Sequence, residues 1–294
     1  MFSTKQKGLA GAMVANIALG ASSIFWKQFS YMSPYVLVGF RILLSLVTLA
    51  LIIFCAGKFL QLKSLLTIRI AVIHASAAAL IAINWTTFIW ASIHARVVES
   101  GIGYLIAPFI TLAVSAMFLR TPLKRRHTLG LVIISIAILQ VVVKDGDLQH
   151  WVYITIGSTW GLYTCLKRIT PLDPLGGLLV ETTFLSIILI VILAAWRSAA
   201  TIDPTMGPLS PLLLMCGIVS IAPLWLFSKS ARQISMDTVG MLQFLLPTTQ
   251  FIVAIFFYRQ PLSKSTLGCF LAIWITLLAI MVSPLLFRRN AGNQ

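Results

Sequence analysis

The chain has 294 residues, of which 59% are hydrophobic and only 10% are charged, and its formal net charge is +15. Soluble proteins carry about 25% charged residues, so this composition excludes an ordinary water-soluble globule. The basic residues are scattered through short breaks between long apolar runs, which argues against nucleic-acid binding and is typical of a helical membrane protein with many spans.

Ten apolar runs follow one another along the chain. Each predicts a transmembrane helix, because every backbone polar group must be paired within the hydrocarbon. The predicted spans are 8–27, 34–56, 69–93, 97–119, 127–143, 150–167, 175–196, 209–228, 236–258 and 265–287. The fold class predicted from this pattern is an all-α polytopic membrane protein with ten transmembrane helices.

The basic residues between the runs predict the orientation. If the N-terminus is cytoplasmic, 15 of the 22 lysines and arginines lie on the cytoplasmic side and six on the other, with Arg41 inside a helix. This count includes Lys167, the last residue of the sixth predicted span, among the cytoplasmic charges. The positive-inside rule then predicts that both termini are cytoplasmic and that the first run is a retained helix.

The chain contains an internal repeat. The segment SGIGYLIAPFITLAVSAMFLRTPL (100–123) aligns without a gap with VGMLQFLLPTTQFIVAIFFYRQPL (239–262). Upstream, three more positions align in order: Lys27, Pro34 and Arg41 with Lys167, Pro174 and Glu181. These matches divide the chain into a five-helix repeat over 1–145 and a second over 146–294.

Five is an odd number, so the second repeat enters the membrane from the opposite side. Inverted repeats are typical of transporters that work by alternating access and hold the substrate near the midplane. Arg41 and Glu181 each follow their matched proline by seven residues. A charge deep in a membrane is costly, so each of them either lines the translocation path or is satisfied by a neighbouring helix or by snorkelling. Because the halves are inverted, the two are not expected to pair with each other.

The third predicted helix carries a polar and aromatic face. Helical geometry places Asn84, Trp85 and Phe88 in one sector, whereas Trp90 points away and is assigned to packing or lipid contact. Asn84 either binds a ligand between aromatic rings or forms a hydrogen bond between helices. Glu99 begins the fourth helix, where it either caps the helix or faces the path.

Further candidates lie on the repeat-matched helices and the sixth helix. The remaining candidate path residues are Tyr104, Tyr163, Gln243 and Gln250. Pro108 and Pro247 are predicted hinges, because proline removes a backbone donor and permits a kink. Gly157 and Gly161 are spaced for close helix approach.

Several chemistries are absent from the sequence. It has no Walker loop, no HExxH and no GxSxG motif, and its histidines and cysteines show no metal-ligand spacing. We therefore expect no cofactor, no metal and no ATP-driven pump. A passive channel or an intramembrane enzyme remains as an alternative to a transporter.

Four stretches carry a resemblance to a known family. The stretch AINWTTFIWASIHARVVESGIGYLIAP resembles the RarD family, within the EamA branch of the drug/metabolite transporter superfamily. FWKQFSYMSPYVLVGFRILLSL, GLYTCLKRITPLDPLGGLLVETTFL and PLWLFSKSARQISMDTVGMLQFLLPTTQFIVAIFF agree with it in order. The resemblance implies a ten-helix permease whose relatives are linked to chloramphenicol sensitivity and to export of drugs, amino acids and other metabolites.

The resemblance also covers individual positions. It matches family positions at Arg41, Asn84, Trp85, Glu99, Gly103, Tyr104, Glu181 and Gln243. The chain departs from the family where relatives carry Gly-Glu after the fourth and ninth helices, since it has Arg120-Thr121 and Arg259-Gln260 there. We expect altered packing at these membrane ends rather than lost transport.

Together these observations predict a bacterial inner-membrane secondary transporter that exports a small organic solute, with uptake or exchange of a metabolite as the alternative. The expected partners are the solute and membrane lipid, with protons as a candidate coupling ion and no nucleic acid. The oligomeric state is open between a monomer and a homodimer.

Overall fold

A computed structural model describes residues 3–118, 125–144, 148–195, 211–261 and 263–276. The described residues form helices joined by short turns, and no strand occurs among them. In chain order the helices are α1 (Thr4–Lys27), α2 (Pro34–Cys55), α3 (Phe59–Leu65), α4 (Ile68–Ile93), α5 (Val97–Phe118), α6 (Arg125–Lys144), α7 (His150–Ile169), α8 (Pro174–Ala195), α9 (Pro211–Leu214), α10 (Cys216–Ala231), α11 (Met236–Gln243), α12 (Leu245–Phe256) and α13 (Lys264–Thr276).

Within the described ranges, seven segments are long and apolar enough to cross a membrane. They correspond to α1, α2, α4, α5, α8, α9 with α10, and α11 with α12. The predicted fifth and sixth spans coincide with α6 and α7, and the described part of the tenth is the shorter apolar helix α13. The architecture is that of a polytopic helical membrane protein, and the number of ten spans stays a prediction.

The sequence explains where several helices begin. Pro34 and Pro174 are the first residues of α2 and α8, where a missing backbone N–H costs nothing and the fixed φ suits a helix. Ser3 caps α1 and forms a reciprocal pair of hydrogen bonds with Gln6. The Thr67 side chain caps α4.

Two predicted spans are interrupted. The eighth is divided at Met215 into α9 and α10, and the ninth is divided at Phe244 into α11 and α12. Pro247 lies one turn beyond Gln243 and cannot donate to its carbonyl, which explains a break at this point. By contrast, α5 continues through Pro108 without interruption. The segment at 120–121 and most of the boundary between the repeats lie outside the described residues.

The helices of the two predicted repeats pack mainly against each other rather than within each repeat. The main contacts are α5 with α7, α1 with α10 and α12, α4 with α7 and α8, α2 with α8 and α10, and α5 with α12. A Cβ at Gly157 would lie 2.9 Å from the Gly103 carbonyl, and one at Gly161 would lie 2.9 Å from the Ala107 carbonyl. These glycines therefore permit the close approach of α5 and α7, as their spacing predicted.

The distribution of polarity is that of a protein in lipid. Large apolar side chains point outward along several helices, for example Ile187, Ile190 and Val191 on α8. Polar side chains lie inside, and many of the hydroxyls donate to the carbonyl four residues earlier in their own helix. The remaining buried polar groups either bind partners on other helices or have no partner among the described residues, and they lie in the interior of the helix bundle.

Candidate functional site

Arg41 lies in the middle of α2 and is 4% exposed. Its guanidinium is held between two indole rings, at 4.8 Å from the Trp26 ring centre and 3.8 Å from that of Trp85. These rings belong to α1 and α4, so three helices meet around the charge. Neither Nε nor Nη1 of Arg41 has a hydrogen-bond partner among the described residues.

The energies explain why this arrangement holds a charge in lipid. A central charge costs about 2.5–3.5 kcal/mol on insertion scales. Each desolvated cation–π contact returns up to about 2 kcal/mol, so the two rings offset much of that cost. They accept no conventional hydrogen bond in the plane of the guanidinium, and each unmade buried bond costs about 1–3 kcal/mol.

Asn84 connects three helices and is 1% exposed. Its amide nitrogen donates to Thr159 Oγ1 at 3.0 Å and to the Ile156 carbonyl at 3.3 Å, both on α7. Its amide oxygen accepts a hydrogen bond from the Tyr104 hydroxyl on α5 at 3.1 Å. Both ends of the amide are engaged, so this geometry places Asn84 as a bridge between helices.

A row of aromatic rings extends from this bridge. Phe88 packs edge-on against Tyr104, with ring centroids 6.1 Å apart. Trp160 also packs edge-on against Tyr104, with ring centroids 5.7 Å apart. Trp160 also stacks with Tyr163 at 5.7 Å and contacts Phe227 at 5.5 Å. The indole nitrogen of Trp160 has no partner among the described residues. The row joins the surroundings of Asn84 to those of Glu181.

Glu181 lies on α8, is 1% exposed and is fully paired. Its Oε1 accepts from Lys167 Nζ at 2.8 Å and lies 2.9 Å from His74 Nδ1, while Oε2 accepts from the Tyr163 hydroxyl at 3.1 Å. An ionised carboxylate requires the proton on Nδ1, which leaves Nε2 as the free nitrogen of His74. Buried ion pairs persist only when the remaining lone pairs are also satisfied, as they are here.

A pocket of about 270 Å³ opens beside this group of residues. Its lining comes from α2, α3, the start of α8 and the end of α10, and includes Lys58, Asp173 and Gly176. The next residue, Gly177, touches the Glu181 group, because a Cβ there would lie 2.8 Å from His74 Cε1. Only one turn of α8 therefore separates the pocket from the buried ion pair.

The remaining predicted residues lie elsewhere. Glu99 is buried and binds Arg96 at 3.1 Å and Gln260 at 3.3 Å, so it sits in a polar group at one end of the bundle. Gln243 donates to Thr164 at 2.9 Å, and its Oε1 has no partner among the described residues. Gln250 accepts from Ser100, and its Nε2 is likewise unpartnered within the described ranges.

The structure thus brings together some predicted residues and adds others. Arg41 lies against Trp85, Asn84 binds Tyr104, and Tyr163 binds Glu181. The partners that sequence reasoning missed are Trp26, His74, Thr159, Trp160 and Lys167. Trp90 packs against His94 and Trp151, in agreement with its predicted direction. It therefore lies away from the Arg41 cage, the name used from here on for Arg41 with the indoles of Trp26 and Trp85.

The count of Lys167 as a cytoplasmic charge does not fit its position inside the helix bundle. α7 continues to Ile169, and Lys167 is 5% exposed with its ammonium on Glu181. The repeat itself contained a signal, because Lys167 and Glu181 align with Lys27 and Arg41 as a matched pair of positions.

Comparison with known proteins gives relatives over nearly the whole chain. The chain is 28% identical to the uncharacterized transporter YojE of Bacillus subtilis, over 98% of both chains. It is 31% identical over 208 residues to the uncharacterized transporter PA0485 of Pseudomonas aeruginosa, covering 70% of each. It is 24% identical to Protein RarD of Escherichia coli, over 98% of both. No family model matches the chain.

The fold also has a solved counterpart. A crystal structure superposes with a TM-score of 0.64 over 93% of this chain and 96% of its own, at 14% sequence identity. That likeness supports the fold alone, while the named relatives are membrane transport proteins and not enzymes. This chain, a multi-pass membrane protein, belongs to the RarD-type family of permeases.

Proposed function

We propose that this chain is a secondary active transporter that exports a small organic solute across the bacterial inner membrane by alternating access. One observation carries the proposal: two buried polar centres, around Arg41 and Glu181, lie inside an apolar helical bundle and on opposite halves of the chain. Ionisable groups at such depth typically mark substrate or ion paths. The aromatic row between them offers surfaces for the apolar parts of a solute.

The packing of the helices supports two related halves. α1 packs against α10 and α12, while its counterpart α7 packs against α4 and α5, the counterparts of α10 and α12. α2 and α8, which are counterparts, pack against each other. Each of these contacts therefore has a counterpart between the corresponding helices when the two halves are interchanged. A carrier built from inverted repeats uses this property to form inward-open and outward-open states from the same parts.

Protons are the coupling ion that we propose, with Glu181 as their binding site. The pocket beside Gly177 lies among basic residues that the positive-inside count assigns to the cytoplasm, including Lys58 and Arg232. Water in that pocket would need to pass only one helical turn to reach His74 and the carboxylate. Protonation of Glu181 would release Lys167 and favour a rearrangement of α7 against α8.

The transport assay uses purified protein in liposomes. A relative from Pseudomonas aeruginosa carries the name chloramphenicol-sensitive protein RarD, so chloramphenicol is the first labelled solute, followed by hits from a thermal-shift screen of metabolites. We expect saturable uptake that an unlabelled solute on the opposite side accelerates. Flux that rises linearly with concentration would indicate a channel and overturn the proposal.

Site variants locate the path in the same assay. We expect the Arg41→Ala protein to insert normally, the Glu181→Ala protein to insert with reduced stability, and both to transport much more slowly than wild type. Ser76→Ala is the matched control, because its hydroxyl is exposed and binds only its own helix. Wild-type rates in both site variants would show that the path lies elsewhere.

The coupling and the direction have separate tests. Glu181→Gln keeps the shape of the side chain but cannot carry the proton, so we expect its transport to lose its response to an imposed pH gradient. A full response would remove Glu181 from the coupling mechanism. Export by proton antiport predicts accumulation of solute in everted vesicles whose lumen is more acidic than the medium, whereas accumulation in right-side-out vesicles would indicate uptake.

A further inference from the structure

The donors around Arg41 have no acceptor to match them. Among the described residues, Nε and Nη1 of Arg41, Nε1 of Trp26 and Oγ of Ser45 are all buried without a hydrogen-bond partner. Ser45 is four residues after Arg41 on α2, so both side chains lie on one face of the helix. Trp26 supplies the ring that covers the guanidinium. Four unpartnered donor atoms therefore belong to Arg41 and to two residues near it, one on α1 and one on α2.

Two other cations, Lys27 and Arg232, have hydrogen-bond acceptors. Lys27 lies near the Tyr258 ring, as Arg41 lies against its indoles, but its ammonium also donates to the Ile93 carbonyl at 2.9 Å. Arg232 donates to the carbonyls of Thr170 and Leu172. Ring contact in this fold does not preclude an additional acceptor. Arg41 therefore differs from Lys27 and Arg232, because its guanidinium nitrogens Nε and Nη1 have no acceptor among the described residues.

The two carboxylates that are buried among the described residues, Glu99 and Glu181, are not available to Arg41. Glu181 is engaged by Lys167 and His74, and Glu99 by Arg96 and Gln260. The ion pairs of the described residues do not include Arg41. A negatively charged ligand would supply the ion-pair partner that these residues do not provide.

We propose that Arg41 is the anchor for an anionic group on the transported solute, which makes the substrate class an organic anion. A guanidinium offers a planar fork of donors that matches the two oxygens of a carboxylate or the oxygens of a phosphate. The Trp26 indole N–H and the Ser45 hydroxyl supply further donors for the same oxyanion. This inference rests on the proposed transport function for its physiological meaning, although the binding site stands on its own geometry.

The walls of the site define the rest of the ligand. The indoles of Trp26 and Trp85 both contact the guanidinium, so an oxyanion would approach it where the rings leave the N–H groups accessible. Trp85 and Phe88 lie on the same face of α4, and Phe88 continues into the row that contains Tyr104. A compact acid with a flat or apolar body would place its charge on Arg41 and its body on these rings.

The test compares matched pairs of ligands on the purified full-length protein. The probes are phenylacetate, indole-3-acetate and benzoate, each paired with its neutral amide or methyl ester, and phenyl phosphate, paired with its neutral dimethyl ester. We expect at least one acid to raise the melting temperature while its neutral partner does not. Equal stabilisation by acid and neutral partner overturns the proposal, and so does the absence of stabilisation by every acid. Because this comparison uses wild-type protein, it does not depend on how well a variant folds.

Two variants then assign the binding to Arg41. In Arg41→Gln we expect the affinity for the acid to fall roughly ten- to a hundredfold, the equivalent of one or two hydrogen bonds to a charged group. Arg41→Lys keeps the charge but not the fork, so its loss is smaller. Trp90→Phe is the control, since Trp90 packs away from the cage, and it keeps wild-type affinity. Unchanged affinity in Arg41→Gln overturns the assignment.

Counterflow of the same probes separates this inference from the transport function. Acids that bind in an Arg41-dependent manner but never exchange across the bilayer would leave the anion site standing and contradict the carrier. Saturable exchange of neutral solutes at wild-type rates in Arg41→Gln would leave the carrier standing and overturn the anion site.

Discussion

Arg41 and Glu181 occupy matching places in the two halves, each seven residues after the proline that begins its helix, yet their surroundings are opposite in kind. Glu181 has a protein partner for each oxygen, drawn from α4 and α7. Arg41 has two indole rings against its guanidinium, and its Nε and Nη1 have no hydrogen-bond partner among the described residues. The first charge is neutralised by the fold, and the second is available to a ligand.

The contrast shows how two positions that match in the sequence can serve different purposes. A buried charge that is paired within the protein contributes to the assembly of the helices, and its loss should be measured first in stability. A buried charge that is only shielded contributes little to assembly, and its loss should be measured first in binding. The four predictions below test this division and run from the largest expected change in stability to the smallest.

Removing Glu181 should cause the largest loss. In Glu181→Ala the Lys167 ammonium and His74 remain buried without their acceptor, so we expect the free energy of unfolding to fall by about 3–5 kcal/mol. The measurement is unfolding of the purified protein during titration from mild detergent into SDS. The double variant Lys167→Met/Glu181→Met should recover at least half of the loss, because it leaves no unpaired ion. A loss below about 1 kcal/mol for Glu181→Ala would contradict the pairing.

Enlarging Gly161 should damage the Glu181 centre while sparing Arg41. A Cβ at Gly161 would lie 2.8 Å from Ile110 Cβ, so Gly161→Leu must push α7 away from α5 at a cost of about 1–3 kcal/mol. α7 carries Lys167 and Tyr163 but none of the Arg41 cage. The control is Gly268→Leu, where nothing lies within 4 Å of the added Cβ. Equal stability of the two variants would show that the α5–α7 contact is not tight.

Replacing Asn84 should have a moderate effect. Asn84→Leu removes the hydrogen bonds that join α4 to α5 and α7, and such bonds in membrane proteins contribute about 0.6 kcal/mol on average and up to about 1.7 kcal/mol. The same SDS titration measures it, with Ser76→Ala on the same helix as the control. A loss of transport without any loss of stability would show that Asn84 binds the solute instead of bridging helices.

Replacing Arg41 should change stability least. Arg41→Met gives up two cation–π contacts of up to about 2 kcal/mol each but also removes the cost of a central charge, about 2.5–3.5 kcal/mol. We therefore expect the free energy of unfolding to stay within about 1 kcal/mol of wild type, while binding of the acid is lost. A loss of unfolding free energy comparable to that of Glu181→Ala would show that Arg41 has a partner within the protein, and Arg41 and Glu181 would then not differ in this respect.

The sequence predicted the helices well, because long apolar runs and prolines at helix starts are local signals. The break at Met215 was not predicted, since that residue is neither glycine nor proline, whereas the break at Phe244 lies close to Pro247, which the sequence analysis proposed as a hinge. Pro108 and Pro247 looked equivalent in the repeat, yet only the helix that contains Pro247 is interrupted nearby.

The sequence identified several candidate site residues, but it did not identify the side chains that these residues contact. A charged residue within an apolar run is visible in the sequence, so Arg41 and Glu181 could be identified. Their surroundings come from helices far apart in the chain, as with His74 and Glu181, which are separated by 107 positions. The positive-inside count also hid Lys167, because a basic residue near a span end has the same appearance whether it faces water or a buried acid.

The interleaving of the two halves has a consequence for biosynthesis. α1, α2, α4 and α5 find their principal packing partners among α7, α8, α10 and α12, which leave the ribosome later. Until those helices arrive, Asn84 lacks Thr159 and His74 lacks Glu181. Polar side chains of the newly inserted first half are therefore exposed in the bilayer. The second half acts as an intramolecular chaperone, because it supplies their partners. Separately synthesised halves should be degraded alone and rescued when they are produced together.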